Sequence, residues 1–230
     1  MTHGDEASVE LAAIARPPSE RLIAPGSTLV VVAAVALLLA LVVIGAAATW
    51  HHGSPIAAET RLADAVDRLG VGRGDWGSFA SYARNTVVPI VTVGLAVLFA
   101  VGRRWRALAA CAAVPLTVFL VESVLKPVIG RTVGTQGVYS YPSGQAAASA
   151  ALATIVVVLL ASRTPNRVAR TAVACLALVG MASVGLAIVG SRSHFALDAV
   201  GGAAFGIAFA LAWCLLVDAV ADRVEARPRH

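Results

Sequence analysis

Two short segments of the chain carry residues that could handle a phosphate group. In one of them, His194 and Asp198 stand one helical turn apart. On a helix that begins near His194 they share a face, so the carboxylate can hold one ring nitrogen while the other nitrogen meets a substrate. This spacing is typical of an oriented nucleophilic histidine. Taken alone it also suits a simpler role, because the dipole at the start of a helix favours a carboxylate.

The other segment combines cations with a tight turn. Lys126 stands at the end of an apolar run, Arg131 follows it, and Ser143 and Gly144 come just before the next apolar run. A Ser-Gly turn at a helix start offers N–H groups and a hydroxyl to an anion, and the helix dipole adds to this attraction. Simpler roles stay open here too: Ser143 can cap the helix, and Lys126 can reach the headgroups while paired with Glu122.

The elements that must position these residues are membrane helices. The chain has 230 residues, 58% hydrophobic and 13% charged, with a mean hydropathy of +0.81, which is too apolar for a soluble domain of this length. A spanning helix needs about 20 mostly apolar residues. Stretches of this kind cover 28–49, 86–102, 107–125, 146–161, 171–190 and 199–217. We therefore expect an all-α, polytopic bundle of about six transmembrane helices.

Arginines indicate how this bundle is oriented. They fill two connections between spans and the C-terminal tail, at Arg103, Arg104, Arg106, Arg163, Arg167, Arg170, Arg223, Arg227 and Arg229. This distribution argues against nucleic-acid binding, which would gather them on one soluble face. By the positive-inside rule both termini are cytoplasmic in a plasma (inner) membrane protein. Residues 126–145 and 191–198 then share the extracytoplasmic side, which brings the two candidate segments together.

The remaining segments are expected to be accessory. We divide the chain into a disordered cytoplasmic leader over 1–27, the membrane domain over 28–218 and a basic cytoplasmic tail over 219–230. After the first span, Leu62, Val66 and Leu69 recur at helical spacing, which predicts a short amphipathic helix on the bilayer surface. The three cysteines all lie in apolar runs, so neither a disulfide framework nor a cysteine metal site is indicated.

With these motifs in place, the sequence resembles the type 2 phosphatidic acid phosphatases, membrane enzymes that hydrolyse lipid phosphates and polyprenyl diphosphates outside the cytoplasm. The resemblance covers about 84–217 and is strongest at 126–131, at 141–147 and at 194–198 followed by Gly202. It implies that His194 is a nucleophile that forms a phospho-histidine and that Asp198 orients it. It further implies that Lys126, Ser143 and Gly144 bind phosphate. No cofactor or metal ion is expected, because the outward segments lack metal-ligand spacing.

The sequence departs from the family pattern at three positions. Gln145 stands where the family has a histidine that protonates the leaving oxygen, and an amide cannot supply that proton. Val133 and Ile188 stand where the family has arginines. Arg131 and Arg192 are candidate replacements in phosphate binding, because a guanidinium on a long stem can reach a phosphate from a shifted Cα. The expected site is therefore an altered one.

The function favoured by these observations is dephosphorylation of a lipid or isoprenoid phosphate or diphosphate at the extracytoplasmic face. The missing acid and arginines leave open a second hypothesis. In it the chain is a phosphatase-like protein without catalytic activity, which binds a lipid phosphate or serves as a partner of another envelope protein. Whether the chain is an enzyme stays open on sequence grounds. A transporter whose polar path is marked by Glu122 and Lys126 is the least favoured alternative, because both residues lie at the end of a span.

Overall fold

The computed structural model describes residues 21–24, 26–50, 54–70, 76–133, 138–161, 164 and 166–226. Helical stretches long and apolar enough to cross a membrane cover Thr28–Ala47, Trp76–Val101, Trp105–Ile129, Arg167–Gly190 and Ala196–Glu225. A shorter apolar helix covers Gly144–Leu160. These six stretches match the six apolar runs of the sequence. The prediction of an all-α, polytopic membrane bundle is confirmed.

The helices are numbered in chain order. The first span is α1 (Thr28–Trp50), and the amphipathic helix is α2 (Ala57–Arg68). The second span consists of α3 (Trp76–Tyr82), a π-helical turn (Ala83–Val87) and α4 (Val88–Val101). The third consists of α5 (Trp105–Cys111), α6 (Ala113–Leu120), a second π-helical turn (Val121–Leu125) and α7 (Lys126–Ile129). The last three helices are α8 (Gly144–Ala161), α9 (Arg167–Gly190) and α10 (Ala196–Glu225).

A very short hairpin joins α7 to α8. Strand β1 (Thr132–Val133) pairs antiparallel with β2 (Val138–Tyr139). Each strand has only two residues, so the hairpin fixes the path of the connection without adding a layer to the fold. Gly130, just before it, has a φ of 71° and ends α7 in the left-handed conformation that glycine adopts most readily.

Helix α8 lies at the centre of the bundle and packs most closely against α10. Ala147, Ala151 and Ile155 of α8 are fully buried. On α10, a Cβ at Gly202 or Gly206 would collide with the carbonyl oxygens of Ser143 and Ala147. Small residues at such a contact let two membrane helices approach each other closely. This close packing brings the first turns of α10 against the turn that precedes α8.

Helix α2 forms where the sequence predicted an amphipathic helix. Of its apolar stripe, Val66 is buried within the protein, whereas Leu62 is 47% exposed and Leu69 is 80% exposed. The other buried residues of α2 are Glu59 and Ala63. Glu59 is buried because its carboxylate accepts hydrogen bonds from Arg131 and from the Leu197 N–H at the start of α10.

At the end of the bundle away from α2, the chain that precedes α1 is bonded to α10. The Asp218 carboxylate accepts hydrogen bonds from the Leu22 and Ile23 N–H groups at 3.0 and 2.9 Å and pairs with Arg106 at 3.2 Å. Arg106 also pairs with Glu225 at 2.9 Å. The division into a leader over 1–27, a membrane domain over 28–218 and a tail over 219–230 stays a prediction, and 1–20, 25 and 227–230 lie outside the described residues.

Candidate functional site

The predicted His–Asp pair lies at the start of α10. His194 belongs to the loop before the helix, which begins at Ala196, so the helix starts later than its pairing with Asp198 suggested. The ring still faces the carboxylate, with His194 Nδ1 at 3.6 Å from Asp198 Oδ2. Asp198 Oδ2 also accepts the Phe195 N–H at 3.0 Å. Asp198 therefore caps the helix and faces the histidine, but His194 Nδ1 makes no hydrogen bond within the described residues. The orienting role of Asp198 stays a prediction.

A second carboxylate and Arg131 hold Asp198 in place. Arg131 donates from Nη1 to Asp198 Oδ1 at 2.8 Å and from Nη2 to Glu59 Oε2 at 2.9 Å. Glu59 Oε1 accepts the Leu197 N–H at 3.0 Å, and the Phe195 ring lies 5.2 Å from the Arg131 guanidinium carbon. The side chains of Glu59, Arg131 and Asp198 are each at most 2% exposed. We call these three residues the buried ion cluster.

The Pro-Ser-Gly turn is bonded directly to the histidine segment. The Ser143 N–H donates to the Asp198 carbonyl at 2.9 Å. The Ser143 hydroxyl accepts the Ala146 N–H at 3.4 Å, so Ser143 caps α8. Tyr141 donates its hydroxyl to the Leu41 carbonyl at 2.8 Å. Burial raises the pKa of Tyr141, and the nearby Asp198 carboxylate raises it further, so this hydroxyl stays a neutral donor that ties the turn to α1.

The start of α8 faces two cations that share one carboxylate. Arg84 Nη2 lies 2.9 Å from Glu122 Oε1, and Lys126 Nζ lies 2.8 Å from Glu122 Oε2. A Cβ at Gly144 would collide with the Glu122 carboxylate and would lie 3.7 Å from the Arg84 guanidinium carbon. The side chains are 30%, 31% and 12% exposed for Arg84, Glu122 and Lys126. We call these three residues the open ion cluster.

The other expected site residues lie at the edges of this region. Gln145, in the first turn of α8, donates from Nε2 to the Ser81 hydroxyl at 3.3 Å. Arg192 has a φ of 55° and pairs with Asp64 of α2 at 2.7 Å, where both side chains are well exposed. Thus neither of the two arginines proposed as replacements has a free guanidinium: Arg131 holds Asp198, and Arg192 holds Asp64. Their roles as phosphate ligands stay predictions.

The positions where the family has arginines are apolar here. Ile188 is fully buried in a cluster with Ala63, Ala83 and Ala146. Its carbonyl oxygen accepts the His194 N–H at 3.2 Å, so it shapes the histidine loop through its backbone. The side chain of Val133 lies outside the described residues. The space beside the loop is therefore filled by hydrophobic packing between α2, α3, α8 and α9.

Sequence reasoning missed two residues of this region. Glu59 lies off the stripe of Leu62, Val66 and Leu69, and a carboxylate in the first turn of a helix is common because the helix dipole favours it, so the sequence carries no signal that this one is buried. Arg84 was noted only as the start of the family resemblance. It belongs to a π-helical turn, as Glu122 does. Such turns are frequent at functional sites, but nothing in the residue types announces them.

The arrangement can bind and orient an anion. The N–H groups of Gly144 and Gln145 have no acceptor within α8, because they belong to its first turn, and the helix dipole favours negative charge there. Lys126 and Arg84 add two positive charges next to them. Among the described residues, no group of three or more His, Cys, Asp or Glu side chains is placed to hold a metal ion.

The fold resembles that of one solved membrane phosphatase. The chain is similar to a transmembrane PAP2 type phosphatidylglycerolphosphate phosphatase from Bacillus subtilis, with a TM-score of 0.61 and 20% sequence identity. The match covers 85% of this chain and 98% of that one. No protein-family model matches the sequence, and no curated protein matches it. The similarity supports the fold that the motif resemblance implied, the PAP2-type membrane bundle.

Proposed function

We propose that this protein is a membrane phosphatase that removes a phosphoryl group from a lipid or isoprenoid phosphate or diphosphate. The observation that carries the proposal is the hydrogen bond from the Ser143 N–H to the Asp198 carbonyl at 2.9 Å. It joins the phosphate-type turn to the His–Asp segment, which supports the proposal that the start of α8 and the histidine act on one phosphate. The PAP2-type fold supports the same class of reaction.

His194 is the proposed nucleophile. Because Nδ1 faces Asp198, Nε2 is the nitrogen that meets phosphorus. In the first step an Nε2–P bond forms as the P–O bond to the leaving group breaks, and the leaving oxygen takes the electron pair. Asp198 stabilises the positive charge that develops on the ring. In the second step a water oxygen bonds to phosphorus as the Nε2–P bond breaks, and Nε2 takes the electron pair of that bond. The protons of the water leave with inorganic phosphate, and His194 is restored as the neutral imidazole.

Lys126 and the start of α8 stabilise the phosphoryl oxygens during both steps. Phosphoryl transfer depends mainly on positioning and on electrostatic stabilisation of these oxygens. The backbone N–H groups of Gly144 and Gln145 and the Lys126 ammonium supply that stabilisation without moving a proton. Arg131 acts through Asp198, because both of its terminal nitrogens are bonded to carboxylates. We therefore place Arg131 among the positioning residues.

The substrate class follows from Gln145. Expelling an alkoxide from a phosphate monoester needs a proton in the transition state, and Gln145 cannot donate one to that end. Expelling a lipid monophosphate from a lipid diphosphate needs less help, because the leaving phosphate is already a weak base. We therefore propose a lipid diphosphate as the better substrate, with the site facing the extracytoplasmic side as the arginine distribution predicts.

The test is phosphate release from a polyprenyl diphosphate by sealed, right-side-out vesicles that contain the full chain. We expect release into the external medium, inhibition by vanadate and no release from His194→Ala. Asp198→Asn should retain a small residual rate with a misoriented ring, provided that the variant folds. Undiminished release from His194→Ala would refute the mechanism, and release only after the vesicles are opened would refute the orientation.

A second candidate function is binding without catalysis, and one observation favours it. The space where the family has an arginine beside the histidine loop is filled by Ile188 and its apolar neighbours. With Gln145 at the acid position, the protein would then bind a lipid phosphate and serve as a partner of another envelope protein. In the vesicle assay this function predicts saturable binding of the lipid diphosphate with no phosphate released by the wild type.

A further inference from the structure

Two π-helical turns meet at the start of α8, and each contributes one charged residue. Arg84 lies in the turn Ala83–Val87 of the second span, and Glu122 lies in the turn Val121–Leu125 of the third. Their side chains are paired at 2.9 Å. A π-helical turn inserts an extra residue into a helix and is frequent at functional sites. Two such turns whose charged residues pair with each other therefore mark a candidate functional site.

The Glu122 carboxylate lies where an anionic ligand would be bound. It bridges the Arg84 guanidinium and the Lys126 ammonium at 2.9 and 2.8 Å. It also lies so close to Gly144 that a Cβ there would collide with it, which places it beside the N–H groups of the first turn of α8. A guanidinium, an ammonium and a helix N-terminus are the groups that bind phosphate in proteins, and a carboxylate satisfies the same donors.

The accessibility of this pair separates it from the structural ion pairs nearby. The side chains of Arg84 and Glu122 are 30% and 31% exposed. Oε1, the Glu122 oxygen nearest to Arg84, is itself buried and makes no hydrogen bond within the described part of the chain, so this oxygen is held only by the ion pair. By contrast, Arg131 is fully buried between two carboxylates. The Arg84–Glu122 pair can therefore open without exposing a core, at the modest cost typical of partly solvated pairs.

We propose that Arg84 is a phosphate-binding residue and that Glu122 is an internal competitor, which occupies the phosphate subsite until the phosphate of the ligand displaces it. This inference rests on the proposed function for the location of the site. In this account Arg84 supplies a second cation in place of the arginine that the family has at the position of Val133. It also makes the site selective, since a diphosphate, with its greater negative charge, competes with the carboxylate for Arg84 and Lys126 better than a monoester does.

The experiment measures binding of inorganic pyrophosphate to the purified full chain in detergent by isothermal titration calorimetry. Glu122→Gln should tighten binding about tenfold, because pyrophosphate then no longer competes with a carboxylate for Arg84 and Lys126. Arg84→Gln should weaken binding by about tenfold or more. The matched control is Asp222→Asn, which removes a carboxylate of the same 31% exposure that pairs with Arg21 at the opposite end of the bundle. It should bind pyrophosphate as the wild type does.

Unchanged or weaker pyrophosphate binding by Glu122→Gln would overturn the inference. So would an Arg84→Gln variant that binds pyrophosphate as tightly as the wild type does. A third contradicting result is no binding by either the wild type or Glu122→Gln. Glu122→Ala repeats the test if the glutamine variant fails to fold. The proposed function can fail separately: the wild type and Glu122→Gln would then bind pyrophosphate as expected but release no phosphate from a lipid diphosphate. Conversely, His194-dependent turnover that is unchanged in both Arg84→Gln and Glu122→Gln would refute the inference and leave the proposed function standing.

Discussion

The two ion clusters at one end of the bundle each contain three charged side chains, but they differ in net charge and in exposure. In the buried ion cluster one arginine lies between two carboxylates, Glu59 and Asp198, and all three side chains are at most 2% exposed. In the open ion cluster one carboxylate, Glu122, lies between two cations that are 30% and 12% exposed. The first has an excess of negative charge, and the second has an excess of positive charge.

Under the proposed function, this difference separates the cluster that would orient the histidine from the cluster that would bind the ligand. Breaking a buried ion pair leaves an uncompensated charge away from water, so such a cluster has little freedom to exchange partners. Its Asp198 can therefore orient His194 with a fixed geometry. A partly exposed cluster with net positive charge exchanges one anion for another easily. Its cations suit the recognition of a phosphate.

The largest expected effect is the loss of the buried cation. Arg131→Met keeps an apolar stem but leaves the Glu59 and Asp198 carboxylates buried without their shared partner. We expect the free energy of unfolding to fall by about 3–5 kcal/mol. The matched change in the open cluster, Arg84→Met, should lower it by less than about 1 kcal/mol, because a partly exposed pair contributes little. Thermal and denaturant unfolding in detergent, followed by circular dichroism, compares the two.

Equal losses of stability in these two variants would mean that both clusters are structural and that accessibility does not mark the ligand-binding cluster. A loss confined to Arg131→Met would support separate roles for the two clusters. In that case Glu59→Gln should also be destabilising, since Glu59 accepts hydrogen bonds from Arg131 and from the Leu197 N–H.

The spans could be predicted from sequence because hydropathy adds up along each run without knowledge of neighbours. The pairing of His194 with Asp198 could also be predicted, because residues one turn apart meet almost wherever the helix begins. The role of Arg131 could not, since its partners lie 72 and 67 positions away in the chain. Its spacing in the sequence places Arg131 near a lost motif arginine, and only the fold shows that its two terminal nitrogens bond to Glu59 and Asp198.

The pairing of Arg84 with Glu122 could not be predicted either, for a different reason. They belong to different spans and meet only because both spans contain a π-helical turn at the same level. The sequence did suggest that Glu122 pairs with Lys126, a contact within one helix, and the structure contains that pair at 2.8 Å. Contacts between spans depend on helix rotation, which composition and hydropathy do not determine.

A smaller effect is expected from restoring an acid beside the open cluster. Gln145→His places an imidazole in the first turn of α8, next to Gly144, where it can protonate a leaving oxygen. We expect the rate of phosphate monoester hydrolysis to rise by about 10²-fold, the lower end for a general acid, and the rate with a diphosphate to change far less. Gln145→Ala is the control that removes the amide without adding an acid. Parallel changes with both substrates would show that proton supply does not set the substrate preference.

The measurement that tests the account most directly is detection of the phospho-histidine itself. The full chain is mixed with a polyprenyl diphosphate that carries ³²P in its terminal phosphoryl group, quenched in alkali within milliseconds, and mapped by proteolysis and mass spectrometry. We predict an acid-labile, alkali-stable label on His194 in the wild type and none in His194→Ala. Label on another residue, label that persists in His194→Ala, or turnover without any label would contradict the claim that the buried ion cluster orients a nucleophilic histidine for phosphate held at the open one.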